Sequence, residues 1–156
     1  MPNILIVTPI TSNTVIPPGG YKYPRIFGMT DFQSEFREVR INANRETLKT
    51  RIAHEFPFLD IVILMDSDVV TDNDTLDYLV SQVSEGRTPC VYTKGDKATR
   101  DSNDHVCAAL CAVTMKDYIN VDYMQNAGGC QCSKLPNPYY IDGNAYEMRT
   151  NTLFKR

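Results

Sequence analysis

The run Ile61-Val62-Ile63-Leu64-Met65, followed at once by Asp66-Ser67-Asp68, constrains this chain more than any other stretch. Five consecutive apolar residues bounded by polar ones suit a short strand buried on both faces, as in a parallel sheet. Carboxylates resist burial, so the strand must come out of the core where Asp66 begins. In open α/β sheets, ligands bind beyond the carboxyl ends of the strands. Side chains two apart in extended chain lie on one side, so Asp66 and Asp68 are expected to present two hard oxygen donors at the strand tip. That donor set suits Mg²⁺ or Mn²⁺ carrying substrate phosphates. One aspartate might be thought to cap the next helix, but Thr71 or Asp72 is placed for that task. An EF-hand is excluded, because Val70 stands where an oxygen ligand belongs.

The rest of the chain alternates strands with helices. Ile4 to Val7 predicts a first buried strand, ended by Thr8-Pro9. Residues 11–24, with Pro17, Pro18, Gly19, Gly20 and Pro24, are expected to form a loop. From Asn44 the spacing of Leu48, Ile52 and Phe56 predicts a helix that Pro57 stops. Leu76, Leu79, Val80 and Val83 predict a second helix, with Gly86 as its terminator. Cys90 to Tyr92 and Val106 to Val113 predict two more strands, the latter followed by a helical turn near Met115 to Tyr118. Residues 125–138 are expected to be loop, and Asp142 to Arg149 a last helix. The pattern predicts a three-layer α/β sandwich with a mostly parallel sheet.

At 156 residues the chain has room for one domain and one substantial core. Apolar residues make up 42% and charged residues 22%, a globular balance. The net charge of −3 leaves no basic surplus for holding DNA or RNA by its phosphates. The longest apolar run, Val106 to Val113, is far short of the roughly 20 residues of a membrane span. The expectation is therefore no nucleic acid, no membrane span and a cytoplasmic location. Five cysteines, four of them between Cys107 and Cys132, argue against a secreted disulfide framework. Cys107 and Cys111 are expected to be small buried hydrophobes. A zinc site from Cys107, Cys111, Cys130 and Cys132 with His105 is the competing reading, although these spacings are unusual for one.

The stretch from Asn44-Arg45 through Asp66-Ser67-Asp68-Val69-Val70 to Leu76–Val80 resembles the donor half of GT-A glycosyltransferases, notably small family-2-like members. The resemblance implies a GT-A (nucleotide-diphospho-sugar transferase) fold in a single domain over 1–156. Its nucleotide-sugar half would span about 1–93 and a reduced acceptor half about 94–156. It implies that Asp66, Ser67 and Asp68 bind Mn²⁺ or Mg²⁺ and the diphosphate of a UDP- or GDP-sugar. Thr8 and Pro9 resemble the first strand end that borders the nucleobase, and Arg45 is similar to the family's arginine before the motif. His105 corresponds to a histidine that many such sites add to the metal; a plain rim histidine is the alternative. The segment Ile141 to Arg149 is similar to the one that carries the catalytic acid, which makes Asp142 the candidate base. The implied activity is metal-dependent transfer of a sugar to a hydroxyl on a glycan or other acceptor, with inversion.

Two other readings compete. One is a small binding or structural module that keeps a catalytically reduced GT-A-like fold. The other is a haloacid-dehalogenase-like phosphatase, whose Asp-x-Asp-x-(Thr/Val) motif Asp66 to Val70 also satisfies, with Thr93 posing as its second motif. That motif normally sits on a first strand, and here a strand, a loop and a helix precede it.

Overall fold

The computed structural model describes residues 2–10, 20–29, 34–93, 109–125 and 131–147. In chain order the elements are β1 (Ile4–Ile10), β2 (Arg25–Met29), α1 (Arg37–Glu55), β3 (Ile61–Met65), β4 (Val69–Thr71), α2 (Asn73–Ser81), β5 (Thr88–Val91), β6 (Leu110–Thr114), α3 (Met115–Ile119), β7 (Pro138–Ile141) and β8 (Ala145–Glu147). A 3-10 turn occupies Gln131–Lys134.

Six strands form one sheet in the order β2-β1-β3-β6-β5-β7, and β4 pairs with β8 in a separate two-stranded ribbon. β1 runs parallel to β2 and β3, and β5 runs parallel to β7. Only β6 is reversed, antiparallel to both β3 and β5. The expected α/β class with a mostly parallel sheet is therefore what forms. Alternate residues of the central strands feed two cores. Leu5, Val7, Val62 and Leu64 pack with Leu48 and Ile52 of α1 and Met115 and Tyr118 of α3. Ile6, Ile63 and Met65 pack with Leu76 and Leu79 of α2. Helices thus cover both faces, a layering compatible with a three-layer sandwich. Burying each such side chain contributes roughly 1.5–3 kcal/mol before entropy is counted. Among the described residues, no helix is long and apolar enough to cross a membrane.

Several sequence expectations need correction. The helix expected at Asp142–Arg149 does not form where the chain is described. Residues 145–147 are the strand β8, with Ala145 and Glu147 buried and Tyr146 exposed between them. That is a period of two, satisfied by antiparallel pairing with β4. The first helix begins at Arg37 rather than Asn44, because its inner face carries buried Asn42, Asn44 and Lys49 that interrupt the apolar stripe. The second helix ends at Ser81, and Gly86 serves a later turn, where its φ of 82° suits glycine. The strand expected from Val106 is seen from Leu110 to Thr114 and is antiparallel. β2 was not expected at all.

Candidate functional site

The sheet's carboxyl edge collects most of the candidate residues. Met65 is in register with Leu110, Leu110 with Val91, and Val91 with Ile141. The next positions outward on four successive strands are therefore Asp66, Ala109, Tyr92 and Asp142. At about 4.8 Å per strand, Asp66 and Asp142 lie roughly 14 Å apart along this edge. The connection leaving β1 leads outward to β2 on one side, while the chain leaving β3 leads to β5 on the other. The crevice between β1 and β3 is thus a topological switch point, where open α/β sheets bind ligands. Asp66 to Asp68 and the Thr8–Ile10 end of β1 flank it.

Asp66, Ser67 and Asp68 do not continue the strand. The Asp66 backbone N–H donates to the Ala109 carbonyl at 2.9 Å, and the Val69 N–H donates back to the Asp66 carbonyl at 3.3 Å, closing a turn. The expected extended alternation is replaced by this turn, and all three residues are half-buried within it. Both aspartates have interaction partners in the fold. Two hard carboxylates on one tight turn fit a divalent cation whose other ligands come from phosphate oxygens and water. Among the described residues, no group of three or more His, Cys, Asp or Glu side chains is arranged to hold a metal ion. His105, Cys107 and Cys130 lie outside the described residues, as does the Cys132 side chain. Cys111 is buried in the core as expected, in register with Cys90 on the neighbouring strand.

Asp142 sits in the loop between β7 and β8, and that loop is fastened to the start of α2. The Asn144 N–H donates to Thr75 Oγ1 at 3.0 Å, its side-chain amide donates to Asp72 Oδ2 at 3.3 Å, and its carbonyl accepts from Thr71 Oγ1 at 2.5 Å. A Cβ on Gly143 would stand 2.7 Å from Thr75 Cγ2 and 3.1 Å from Val91 Cγ1, so only glycine permits this approach. Asp72 caps α2, its Oδ1 accepting from the Thr75 N–H at 2.7 Å. That N–H, with the Thr75 hydroxyl and the Asn144 amide, holds the Asp72 carboxyl below the ordinary aspartate range. An open cleft of about 650 Å³ lies between α2, Tyr92 and loop 141–144, with Asp74 and Asp142 both in its lining.

The ribbon of β4 and β8 joins the two halves of the site. Val69, next to Asp68, is in register with Glu147. Glu147 is buried and accepts a hydrogen bond from Thr93 Oγ1 at 3.3 Å. No sequence signal singled it out beyond being one of several acids near the end of the chain.

The other sequence candidates lie near β1. Thr8 is fully buried, and its Oγ1 accepts from Arg25 Nε at 2.9 Å; Pro9 is half-buried. Arg25 is stacked 4.7 Å from the Phe27 ring centroid and 5.7 Å from that of Tyr21. Its Nη2 is buried without a hydrogen-bond partner, and burial lowers its pKa from the ordinary value. Arg25 lies on the strand that was not expected, so no sequence pattern pointed to it. Arg45 donates from Nη1 to Asn42 Oδ1 at 3.2 Å, while its Nε is buried without a partner. Its neighbour Asn44 donates to the Ile10 carbonyl at 3.2 Å, which places this part of α1 beside the end of β1.

No protein-family model matches the chain, and no curated protein matches it significantly.

Proposed function

We propose that the chain is a metal-dependent glycosyltransferase of the GT-A kind, which moves a sugar from a nucleotide-sugar donor to an acceptor hydroxyl. The observation that carries this reading is the turn Asp66-Ser67-Asp68 at the switch-point crevice, tied through the β4–β8 ribbon to the loop that holds Asp142. Asp66 and Asp68 would hold Mn²⁺ or Mg²⁺ against the donor diphosphate, and the bound cation would neutralise the charge that builds on the leaving group. The end of β1 at Thr8 and Pro9 would border the nucleobase, with Arg45 and Arg25 nearby as cations. A separation of roughly 14 Å between the Asp66 and Asp142 positions leaves room for a sugar between them. The acceptor oxygen would bond to the sugar's anomeric carbon as the bond to the diphosphate oxygen breaks. The acceptor proton would pass to the Asp142 carboxylate. Fastening of loop 141–144 to α2 supports this role, because a base must be held in place to be effective.

Mn²⁺ with UDP or GDP should raise the melting temperature by several degrees at saturating concentrations, since a ligand that binds only the folded state stabilises it by mass action. Asp68→Ala should abolish the rise. Screening UDP- and GDP-sugars for release of nucleoside diphosphate then separates an enzyme from a binding module, which would show the rise without turnover. A full rise in Asp68→Ala would remove the metal assignment.

A further inference from the structure

The cleft between α2 and loop 141–144 has a chemistry that donor binding does not use. Two of its lining side chains are the rings of Tyr78 and Tyr92, 47% and 37% exposed, and Tyr140 meets the Tyr92 ring edge-on at 5.4 Å. Its ionisable lining is otherwise Asp74 and Asp142, and among the described residues no basic side chain lines it. Three other acids of the described surface have cationic partners: Asp77 with Lys22, Glu85 with Lys116 and Glu55 with Arg51. Asp74 and Asp142 have no such partner among the described residues. Asp74 favours the amino end of α2 through the helix dipole, which accounts for its own charge but not for Asp142 or the exposed rings. Asp74 and Tyr78 are four residues apart on α2 and so share one face of it. An ammonium group seated there would meet a carboxylate and an aromatic ring together, whereas a phosphate would face two carboxylates.

We propose that this cleft is a subsite for a polar ligand carrying a primary ammonium group. Asp74 is its ion-pair partner, Tyr78 its cation–π wall, and Asp142 lies on the opposite side beside the ligand's hydroxyls. Within the sugar-transfer reading, on which this last identification rests, the ligand is the acceptor, and it is an amino-bearing one such as an amino sugar.

The test uses the full ¹⁵N-labelled chain without metal or nucleotide, at low salt and below neutral pH, titrated separately with glucosamine, N-acetylglucosamine and n-propylamine. Glucosamine should shift the amides of residues 74–78 and 142–144 with a Kd about tenfold or more below that of the uncharged N-acetylglucosamine. Asp74→Asn should weaken glucosamine binding by about tenfold, and Tyr78→Leu by about two- to fivefold. n-Propylamine bound as tightly as glucosamine would support the ammonium site and assign recognition to the charge alone. Equal affinity for glucosamine and N-acetylglucosamine, unchanged affinity in Asp74→Asn, or no shift with any probe would overturn the proposal. Because no metal or nucleotide is present, the outcome is independent of the donor assignment. Loss of the Mn²⁺–nucleotide stabilisation with glucosamine binding intact would remove the transfer reading and leave the cation subsite standing.

Discussion

Asp72 serves two elements at once, capping α2 through Thr75 and holding the loop that carries Asp142 through Asn144. Asp72→Ala should cost about 1 kcal/mol in urea unfolding, the usual worth of an N-cap. The pH dependence follows from the direction of its shift. A carboxyl held below its unfolded value stabilises the fold above about pH 4 and loses that contribution as pH falls through the lower folded value. The Asp72→Ala protein should therefore lose less stability between neutral and acid pH than the parent. Asp142 calls for a different measurement. Asp142→Asn keeps the shape of the side chain and removes the proton acceptor, so sugar transfer should fall by about 10²–10⁴-fold while nucleotide affinity stays near normal. Transfer at the parental rate would leave Asp142 without a catalytic role. At this scale the sequence was informative where a residue's chemistry has a single outlet. Two aspartates after an apolar run must leave the core, and Asp72 before Thr75 could be foreseen as a cap. It was silent on Arg25 and offered Glu147 only as one of three fallback acids for the base, with Asp101 and Asp104, because the importance of both comes from neighbours 17 and 54 residues away along the chain.

Elements were legible when their period was clean. α2 has one, β1 and β3 are unbroken apolar runs between polar residues, and all three occur near where those patterns place them. α1 hides its first two turns because Asn42 and Asn44 face inward there, Asn42 bonded to Arg45 one turn on and Asn44 to the Ile10 carbonyl, which only the folded chain supplies. β8 is three residues long, too short for alternation to stand out against a helical pattern. The segment 20–24 was expected to be plain loop, yet it is strapped to α2. The Lys22 N–H donates to Asn73 at 2.9 Å, its ammonium pairs with Asp77 at 3.0 Å, and the Tyr23 hydroxyl donates to the same carboxylate. Burial, with Asp77 adding to it, pushes the Tyr23 phenol up to about 12. A group raised in the folded state contributes stability that is present below its unfolded value near 10 and disappears as pH rises through 12. Tyr23→Phe should therefore flatten the fall in stability between about pH 10 and 12, measured by urea midpoints across that range. An unchanged alkaline slope would mean that the strap opens without cost.

At the scale of the molecule, strand order and direction were beyond sequence reasoning, because an apolar run has the same pattern whichever way its strand runs. The reversal of β6 places Cys90 opposite Cys111 in the middle of the sheet, both fully or almost fully buried. Both lie in the core shared with α1 and α3, so neither thiol can meet a reagent unless that face of the sheet is uncovered. Their alkylation should therefore track global unfolding, slowing in step with added stability. Rapid modification of the native protein would show that this part of the sheet opens on its own. The same reversal has a consequence for how the chain can change. Thr93 follows β5 and Ala109 precedes β6 at the same edge of the sheet, the edge that carries Asp66 and Asp142. The described chain therefore leaves the sheet at Thr93 and re-enters it at Ala109 on the same side. A change in the length of what joins those two points would leave the order of the described strands as it is. A lineage, or an engineer, seeking new specificity has in that span a cassette whose two attachment points are already fixed beside the chemistry.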